Sequence, residues 1–202
     1  MLDSHIRPLI DPPLKRLGAA LARAGLSADA LTLSGCTLGF AAAIAIVAHA
    51  MWPALMLFLT GRLIDGLDGA VARATAKTDR GGYLDIVLDF AVYAAIPLAF
   101  AFADPEANAL AAAALLAAIV VNGSAFLAYA IMAERLGITT SAQGEKSLYY
   151  LAGLAEGTET IAAYTACLLW PQAFAVIAAI FATLCLVSGI ARIAIAWRTL
   201  SR

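Results

Sequence analysis

Six long apolar stretches constrain what this chain can fold into. A helix that crosses a bilayer needs about 20 mainly apolar residues, and turn residues or clustered charges divide the sequence into six segments of about that length. These segments lie at 30–48, 54–73, 82–103, 108–133, 148–169 and 172–197. Apolar residues make up 63% of the 202-residue chain and charged residues 13%, a composition that does not suit a soluble surface. The sequence therefore predicts an all-α integral membrane protein with six transmembrane helices.

The net charge and the cysteines exclude several other classes of protein. A net charge of −1 gives no basic field for nucleic acid, so we expect no nucleic-acid partner. Cys36, Cys167 and Cys185 lie inside apolar runs without C-x-x-C spacing, which indicates small packing residues and not a disulfide framework or a zinc cluster. The first residues lack the short apolar core and cleavage site of a secretory signal, so we expect no signal peptide to be removed.

Lys and Arg lie on one side only of the predicted spans. The three loops that follow spans one, three and five contain neither residue. The remaining loops and the two terminal segments hold Arg7, Lys15, Arg16, Arg23, Lys77, Arg80, Arg135, Lys146, Arg198 and Arg202. Because basic residues of short loops are retained in the cytoplasm, we expect both termini to be cytoplasmic, in a bacterial-type cytoplasmic (inner) membrane.

The segment before the first span has an amphipathic pattern. Pro12-Pro13 opens a stretch in which Leu14, Leu17 and Leu21 share one helical stripe with basic residues off it, and Gly25 ends the stretch. This pattern predicts an N-terminal interfacial amphipathic helix on the cytoplasmic leaflet, with a solvated leader as the alternative. We therefore divide the chain into a cytoplasmic or interfacial N-terminal segment, 1–27, and a six-helix membrane domain, 28–202.

Four aspartates fall within the second and third predicted spans, where ionisable residues are costly and indicate function. Asp65 and Asp68 lie on one face of the second span, and Asp85 and Asp89 are spaced i, i+4 on the third. The two spans are joined by a short connection, so we expect them to be antiparallel neighbours. The four carboxylates should then converge at one depth near the cytoplasmic side.

Four like charges in a site of low dielectric constant need compensating cations. Two divalent ions would cancel the charge, and hard oxygen ligands suit Mg²⁺ or Mn²⁺, or Ca²⁺ where geometry allows, over zinc or copper. The alternative is a structural acid network paired with Arg62 and Arg73, which leaves acids uncompensated. Small residues between the acids expose backbone to a bulky ligand, and Arg73 can pair with phosphate, which together indicate phosphoryl transfer.

These residues resemble the signature of the CDP-alcohol phosphotransferase (CDP-alcohol phosphatidyltransferase) family, D-x2-D-G-x2-A-R, usually eight residues, then G-x3-D-x3-D. The matching positions are Asp65, Asp68, Gly69, Ala72, Arg73, Gly81, Asp85 and Asp89. Only residues 74–80 separate the two halves, one fewer than is usual, and we assign this shortening to the connection between the two helices.

The resemblance implies a membrane enzyme of phospholipid biosynthesis. Such an enzyme transfers a substituted phosphate, most commonly phosphatidyl from CDP-diacylglycerol, to an alcohol and releases CMP. By resemblance, Asp89 is both a metal ligand and the catalytic base that deprotonates the acceptor hydroxyl. The other implied metal ligands are Asp65, Asp68 and Asp85, and the implied CDP-binding positions are Gly69, Ala72, Arg73 and Gly81. The resemblance also implies a homodimer.

Polar residues of the last two spans are the candidates for the acceptor pocket. Glu156 and Glu159 lie in the fifth span and Arg192 in the sixth. They form either a structural Glu156–Arg192 pair or a wall that contacts the alcohol. A phosphorylated acceptor would need several cations, with candidates Arg62, Arg135, Lys146 and Arg192, whereas the glutamates equally suit a polyol or an amino alcohol.

A divalent-cation transporter is the alternative function, because intramembrane aspartates also mark ion pathways. The acids cluster toward one leaflet without a polar path that continues across the membrane, and the outer ends of spans two and three are apolar apart from Tyr93. This distribution favours the enzyme. A non-catalytic membrane scaffold is a third and weaker interpretation.

Overall fold

The computed structural model describes residues 3–137 and 153–200, with side chains from Pro12 onward, and these ranges contain seven α-helices and no strand. In chain order the helices are α1 Asp3–Arg23, α2 Ala28–Val47, α3 Met51–Ala74, α4 Asp79–Ala103, α5 Pro105–Arg135, α6 Gly157–Leu169 and α7 Phe174–Thr199. A short 3-10 helix, Pro171–Ala173, precedes α7. The all-α prediction is confirmed for the described part of the chain.

Three of the described helices, α2, α4 and α5, begin at side chains that cap their first turn. Ser27 accepts a hydrogen bond from the backbone N–H of Ala30 (3.2 Å), and Thr78 accepts one from Gly81 (3.0 Å). Asp104 accepts one from the N–H of Ala107 (3.1 Å) at the start of α5. Each of these oxygens satisfies a donor that the helix itself leaves unpaired. The polar breaks in the sequence are therefore the helix boundaries.

Four helical segments are long and apolar enough to cross a membrane: Ala28–Val47, Asp79–Ala103, Pro105–Arg135 and Pro171–Thr199. Apolar side chains such as Leu110 and Ile44 are 85% and 71% exposed, as expected of surfaces that face lipid. Helix α3 has 24 residues but carries several charged side chains, and α6 has only 13.

The predicted fifth span, 148–169, needs correction. Its first residues, 148–152, lie outside the described part of the chain, and 153–156 are not helical, so α6 begins only at Gly157. The carbonyl oxygen of Ala155 in this unwound stretch accepts a hydrogen bond from the side-chain amide of Asn122 (3.1 Å). Irregular backbone is tolerated inside a membrane protein where such partners satisfy it.

Helix α1 also differs from its prediction. It begins at Asp3, well before the Pro12-Pro13 pair. Leu14 and Leu21 pack against a buried cluster formed by residues of α2 and α3, whereas Leu17 is 47% exposed. Part of the predicted membrane-facing stripe therefore faces the protein, because docking on α3 partly buries those two leucines. That α1 lies on a leaflet stays a prediction.

A proline in α4 explains how α6 is attached to it. Pro97 has no backbone N–H, so it cannot bond to the carbonyl oxygen of Tyr93, four residues earlier in the same helix. The hydroxyl of Tyr164 in α6 donates to that carbonyl (2.6 Å), and the Tyr164 side chain is completely buried. The interhelical hydrogen bond thus satisfies an acceptor that the proline leaves free.

Two glycines allow α2 and α3 to approach closely. A Cβ atom placed on Gly35 would lie 3.0 Å from the carbonyl oxygen of Gly61, and one placed on Gly61 would lie equally close to that of Gly35. Small residues at such crossings bring two backbones together. The crossing lies one turn from Asp65 and holds α2 beside the aspartates of α3.

Candidate active site

Three of the four predicted aspartates meet between α3 and α4. Carboxylate oxygens of Asp65, Asp68 and Asp85 all lie within 4.8 Å of one another. Residues 75–78 link the two helices and end at Thr78, the N-cap of α4, so the shortened connection still keeps the acids together. We call these three residues the acid group. The predicted convergence is confirmed for them.

A threonine of α2 holds one member of the acid group. The hydroxyl of Thr32 donates to Oδ2 of Asp68 at 2.5 Å, and both residues are buried. Hydrogen bonds to a carboxylate are among the strongest that neutral donors form. Thr32 was not predicted from the sequence, because α2 also contains Ser34 and Thr37 and no pattern distinguishes Thr32 from them.

Asp89 lies beside the acid group and is paired with Arg62. Nη1 of Arg62 donates to Oδ1 of Asp89 and also lies 3.5 Å from Oδ2 of Asp65. The Arg62 side chain is only 4% exposed, and its guanidinium lies over the ring of Tyr93, 5.7 Å from the centroid. The structural pairing considered for Arg62 is thus present. Arg73, by contrast, forms no ion pair with another described residue.

A cavity of about 640 Å³ opens beside Asp68 and Asp85. Its walls come from the α1–α2 turn, the end of α3 and the start of α4, and we call it the larger cavity. The predicted CDP-binding positions all line it: Gly69, Ala72, Arg73 and Gly81. A Cβ on Gly69 would meet Nη1 of Arg73 at 3.2 Å, so the glycine leaves room for that guanidinium. The structure therefore brings together these four signature positions.

Asp29 is a second residue of the larger cavity that the sequence analysis missed. Its Oδ2 accepts a hydrogen bond from Nη2 of Arg80 (2.5 Å), which links the first turn of α2 to the first turn of α4. A Cβ on Gly81 would lie 3.2 Å from Oδ1 of the same aspartate. Asp29 and Arg80 are far apart in sequence, and no local pattern relates them.

A smaller cavity, of about 300 Å³, lies on the other side of Asp85. It is enclosed by α4, α5, α6 and α7, and its lining includes Asp89, Asn122, Glu156, Thr160 and Arg192. Asp85 lines both cavities. The acid group therefore stands where the two cavities meet.

The structure brings two of the three acceptor candidates into the smaller cavity. Oε1 of Glu156 lies 3.8 Å from Nη2 of Arg192, and the Arg192 guanidinium lies 4.9 Å from the ring centroid of Phe126. Glu159 is not among the residues that line the cavity. Of the other candidate cations, Arg62 contacts Asp65 and Asp89, Arg135 is exposed at the end of α5, and Lys146 lies outside the described residues.

The donor atoms of the acid group fit a hard divalent cation. All are carboxylate oxygens, they come from two adjacent helices, and they are close enough to share one ion. Mg²⁺ and Mn²⁺ prefer oxygen ligands, whereas zinc and copper favour nitrogen or sulfur. Asp89 lies outside this group of three and contacts Arg62.

Comparison with known proteins identifies a family. Residues 26–200 match the model of the CDP-alcohol phosphatidyltransferase family. The chain is 44% identical over 193 residues to the inner membrane protein YnjF of Escherichia coli K12, covering 96% of this chain and 94% of that protein. It is 37% identical over 87 residues to the archaetidylinositol phosphate synthase of Pyrococcus horikoshii, covering 43% of this chain and 46% of that enzyme.

The same fold occurs in a solved structure. The crystal structure of Mycobacterium tuberculosis phosphatidylinositol phosphate synthase (PgsA1) with CDP-DAG bound superposes with a TM-score of 0.67 at 19% sequence identity. The match covers 91% of this chain and 93% of that one. At this identity the likeness concerns the fold.

Proposed function

Because this chain belongs to the CDP-alcohol phosphatidyltransferase family, we propose that it transfers the phosphatidyl group of CDP-diacylglycerol to a small alcohol and releases CMP. A relative that matches nearly the whole chain is named an inner membrane protein, and a protein of the same fold holds CDP-DAG in its crystal structure. The family match argues against the cation-transporter alternative.

One observation carries this proposal more than any other. The larger cavity and the smaller cavity meet at Asp85, and the acid group lies at that junction. A transfer between two substrates needs a place for each substrate and a shared reacting centre between them. The larger cavity, the acid group and the smaller cavity would supply these three parts.

On the donor side, the larger cavity would take the CDP moiety. The carboxylates of Asp65, Asp68 and Asp85 would hold Mg²⁺ or Mn²⁺, with two ions proposed. When bound, the metal neutralises the pyrophosphate and the leaving CMP. Arg73 is available to pair with a phosphate, because it forms no ion pair with a described acid. Gly69 and Gly81 leave backbone open to the ligand.

On the acceptor side, Asp89 would act as the base. It lines the smaller cavity one helical turn from Asp85, so it can approach the hydroxyl of a bound alcohol. The carboxylate takes the hydroxyl proton, the alcohol oxygen bonds to the phosphatidyl phosphorus, and the bond between that phosphorus and the CMP oxygen breaks. Arg62 would position Asp89 for this step.

We also propose the six-span layout, the cytoplasmic termini, the inner membrane location and the homodimer. Helix α3 carries the acids that face α4, which explains its weaker apolar character. Together with the segment that ends in α6 it would complete the six spans. The active site would then open to the cytoplasm, on the side of the membrane where the CDP headgroup of the donor lies in water.

The experiment that tests the activity is CMP release by the purified protein in CDP-diacylglycerol micelles, with a panel of alcohols. We expect alcohol-dependent release with Mg²⁺ or Mn²⁺ and none in excess EDTA. Release that continues unchanged in EDTA would refute the metal assignment. No alcohol-dependent release with any member of the panel would refute the proposed transfer.

Cysteine labelling tests the orientation. The three native cysteines are buried, and each is to be replaced before labelling. Lys77→Cys, in the connection between α3 and α4, should react with a reagent applied from the cytoplasm. Glu106→Cys and Gln172→Cys should react from the opposite side. Reversed sidedness would move the active site to the other leaflet.

A further inference from the structure

The charged and polar groups that line the smaller cavity favour some alcohols over others. Among its described lining residues are three carboxylates, those of Asp85, Asp89 and Glu156, and one guanidinium, that of Arg192. Arg192 is already engaged, since it lies 3.8 Å from Glu156 and over the Phe126 ring. The described wall therefore offers an approaching anion no guanidinium that is not already paired.

Asn122 adds an acceptor to this wall. Its Nδ2 donates to the carbonyl oxygen of Ala155 (3.1 Å), an atom that can only accept, so the orientation of the amide is determined. Oδ1 of the same side chain is buried and has no hydrogen-bond partner among the described residues. A buried acceptor of this kind is satisfied when a ligand or a water donates to it.

The hydroxyl of Thr160 is also committed. It donates to the backbone carbonyl of Glu156 at 2.8 Å, which leaves only its lone pairs for a ligand. The described side-chain atoms of Asn122, Glu156 and Thr160 that remain for an acceptor molecule are thus hydrogen-bond acceptors. A ligand that fits them must bring donors. A phosphate monoester brings about two negative charges at neutral pH and mainly acceptor oxygens, which is the opposite of what this wall requires.

We propose that the acceptor is an uncharged polyol, an alcohol with several hydroxyls and no phosphate, and that Asn122 and Glu156 accept hydrogen bonds from hydroxyls other than the reacting one. This inference rests on the proposed function. An amino alcohol also brings donors, but its ammonium needs in addition a carboxylate whose charge is not balanced, and Glu156 is paired with Arg192 and Asp89 with Arg62. A cavity of about 300 Å³ suits a small polyol.

The direct test compares matched acceptors in the CMP-release assay. The probes are glycerol and inositol, their phosphate monoesters, and ethanolamine. We expect kcat/KM to be at least about tenfold higher for the free polyols than for their phosphate esters or for ethanolamine. A preference for a phosphate ester, or for ethanolamine, would overturn the inference while leaving the transferase activity established.

A binding measurement separates this inference from the proposed function. Calorimetric titration of the same probes into the protein with Mg²⁺ and CDP reports acceptor affinity without turnover. Tighter binding of polyol than of its phosphate ester supports the inference even where no CMP is released, in which case only the proposed transfer fails. Tighter binding of the phosphate ester, or no detectable polyol binding, overturns the inference.

Asn122→Leu tests the residue assignment, with Asn108→Leu as the matched control. Both asparagines lie on α5 and donate to a backbone carbonyl, but Asn108 bonds to Phe100 near the other end of the helix, away from the cavity. We expect Asn122→Leu to raise the polyol KM about tenfold and leave the KM for CDP-diacylglycerol unchanged. Equal changes in the two variants would mean that Asn122 has only a structural role.

Glu156→Gln gives a change of specificity that a purely structural role does not predict. The substitution removes the carboxylate that engages Arg192 and keeps the size of the side chain. We expect the variant to use phosphate esters better relative to free polyols, because the wall beside Arg192 then carries one negative charge fewer. An unchanged ratio in a folded variant would contradict the role of Glu156 in rejecting phosphate.

Discussion

The two cavities differ in how the chain builds them. The larger cavity takes its signature residues from the end of α3 and the start of α4, which are joined by a short connection. The smaller cavity collects single polar residues from α4, α5, α6 and α7, from Asp85 to Arg192. The first arrangement is almost local in sequence, whereas the second exists only after the helices have packed. The two halves of the site are therefore separable by mutation, except at Asp85.

The largest effect is expected where the two cavities meet. Asp85→Asn removes a charge from the acid group and alters the lining of both cavities. We expect kcat/KM to fall by about 10⁴-fold, with weaker donor binding and slower turnover together. Steady-state kinetics and CDP titration measure the two contributions. A variant that lost only one of them would show that the cavities do not share this residue.

Asp68→Asn and Asp89→Asn should separate the two halves. Asp68 lines only the larger cavity and Asp89 only the smaller one, and both substitutions keep side-chain size. We expect Asp89→Asn to lower kcat by about 10³-fold with little change in donor affinity, because the base acts on the alcohol. Asp68→Asn should weaken metal and donor binding together. Equal losses of donor affinity in the two variants would contradict this division of roles.

The difference between the cavities also explains how far sequence reasoning reached. Asp65, Asp68, Asp85 and Asp89 occupy two consecutive helices, so helical periodicity and a short connection were enough to bring three of them together. The pairing of Asp89 with Arg62 was considered only as part of a structural alternative. It depends on the angle between α3 and α4, which periodicity does not specify.

Residues supplied by distant helices could not be found in this way. Thr32 and Asp29 reach the site from α2, and their partners Asp68 and Arg80 lie in later helices. Asn122 donates to the carbonyl of an unwound stretch that the sequence predicted as helix, so the free oxygen of its amide could not be predicted. Apolar composition predicted a helix through 153–156, whereas hydrogen bonding from α5 stabilises irregular backbone there.

Arg62→Met tests whether the buried guanidinium positions Asp89 beside the smaller cavity. Arg62 bonds to Asp89 and lies 3.5 Å from Asp65, so its loss leaves two acids close together without their cation. We expect kcat to fall by about 10²-fold through misplacement of Asp89, with donor affinity nearly unchanged. Arg62→Lys keeps the positive charge but lacks the planar guanidinium with its several N–H donors, so this variant should retain part of kcat.

The control for this prediction is the thermal stability of the same variants. Breaking a buried ion pair costs about 3–5 kcal/mol of folding free energy, so the kinetics are to be measured on protein that remains folded at the assay temperature. A fall in the amount of folded Arg62→Met, with normal kcat per folded molecule, would show that Arg62 is structural only.

The smallest effect is expected at Thr32, which touches the donor half through one hydrogen bond. Thr32→Val keeps the shape of the side chain and removes the donor that Asp68 accepts at 2.5 Å. A hydrogen bond to a charged group is worth about 1.5–3 kcal/mol, but a bound cation offsets part of that loss by stabilising the same carboxylate. We therefore expect the metal concentration for half-maximal activity to rise about three- to tenfold, with kcat at saturating metal nearly unchanged.

Thr37→Val is the matched control, because Thr37 lies on the same helix, is exposed, and donates only to the backbone carbonyl of Leu33 (2.8 Å). If both valine variants shifted the metal requirement equally, the effect would come from a general change in helix α2. Thr32 would then have no specific role in metal or donor binding.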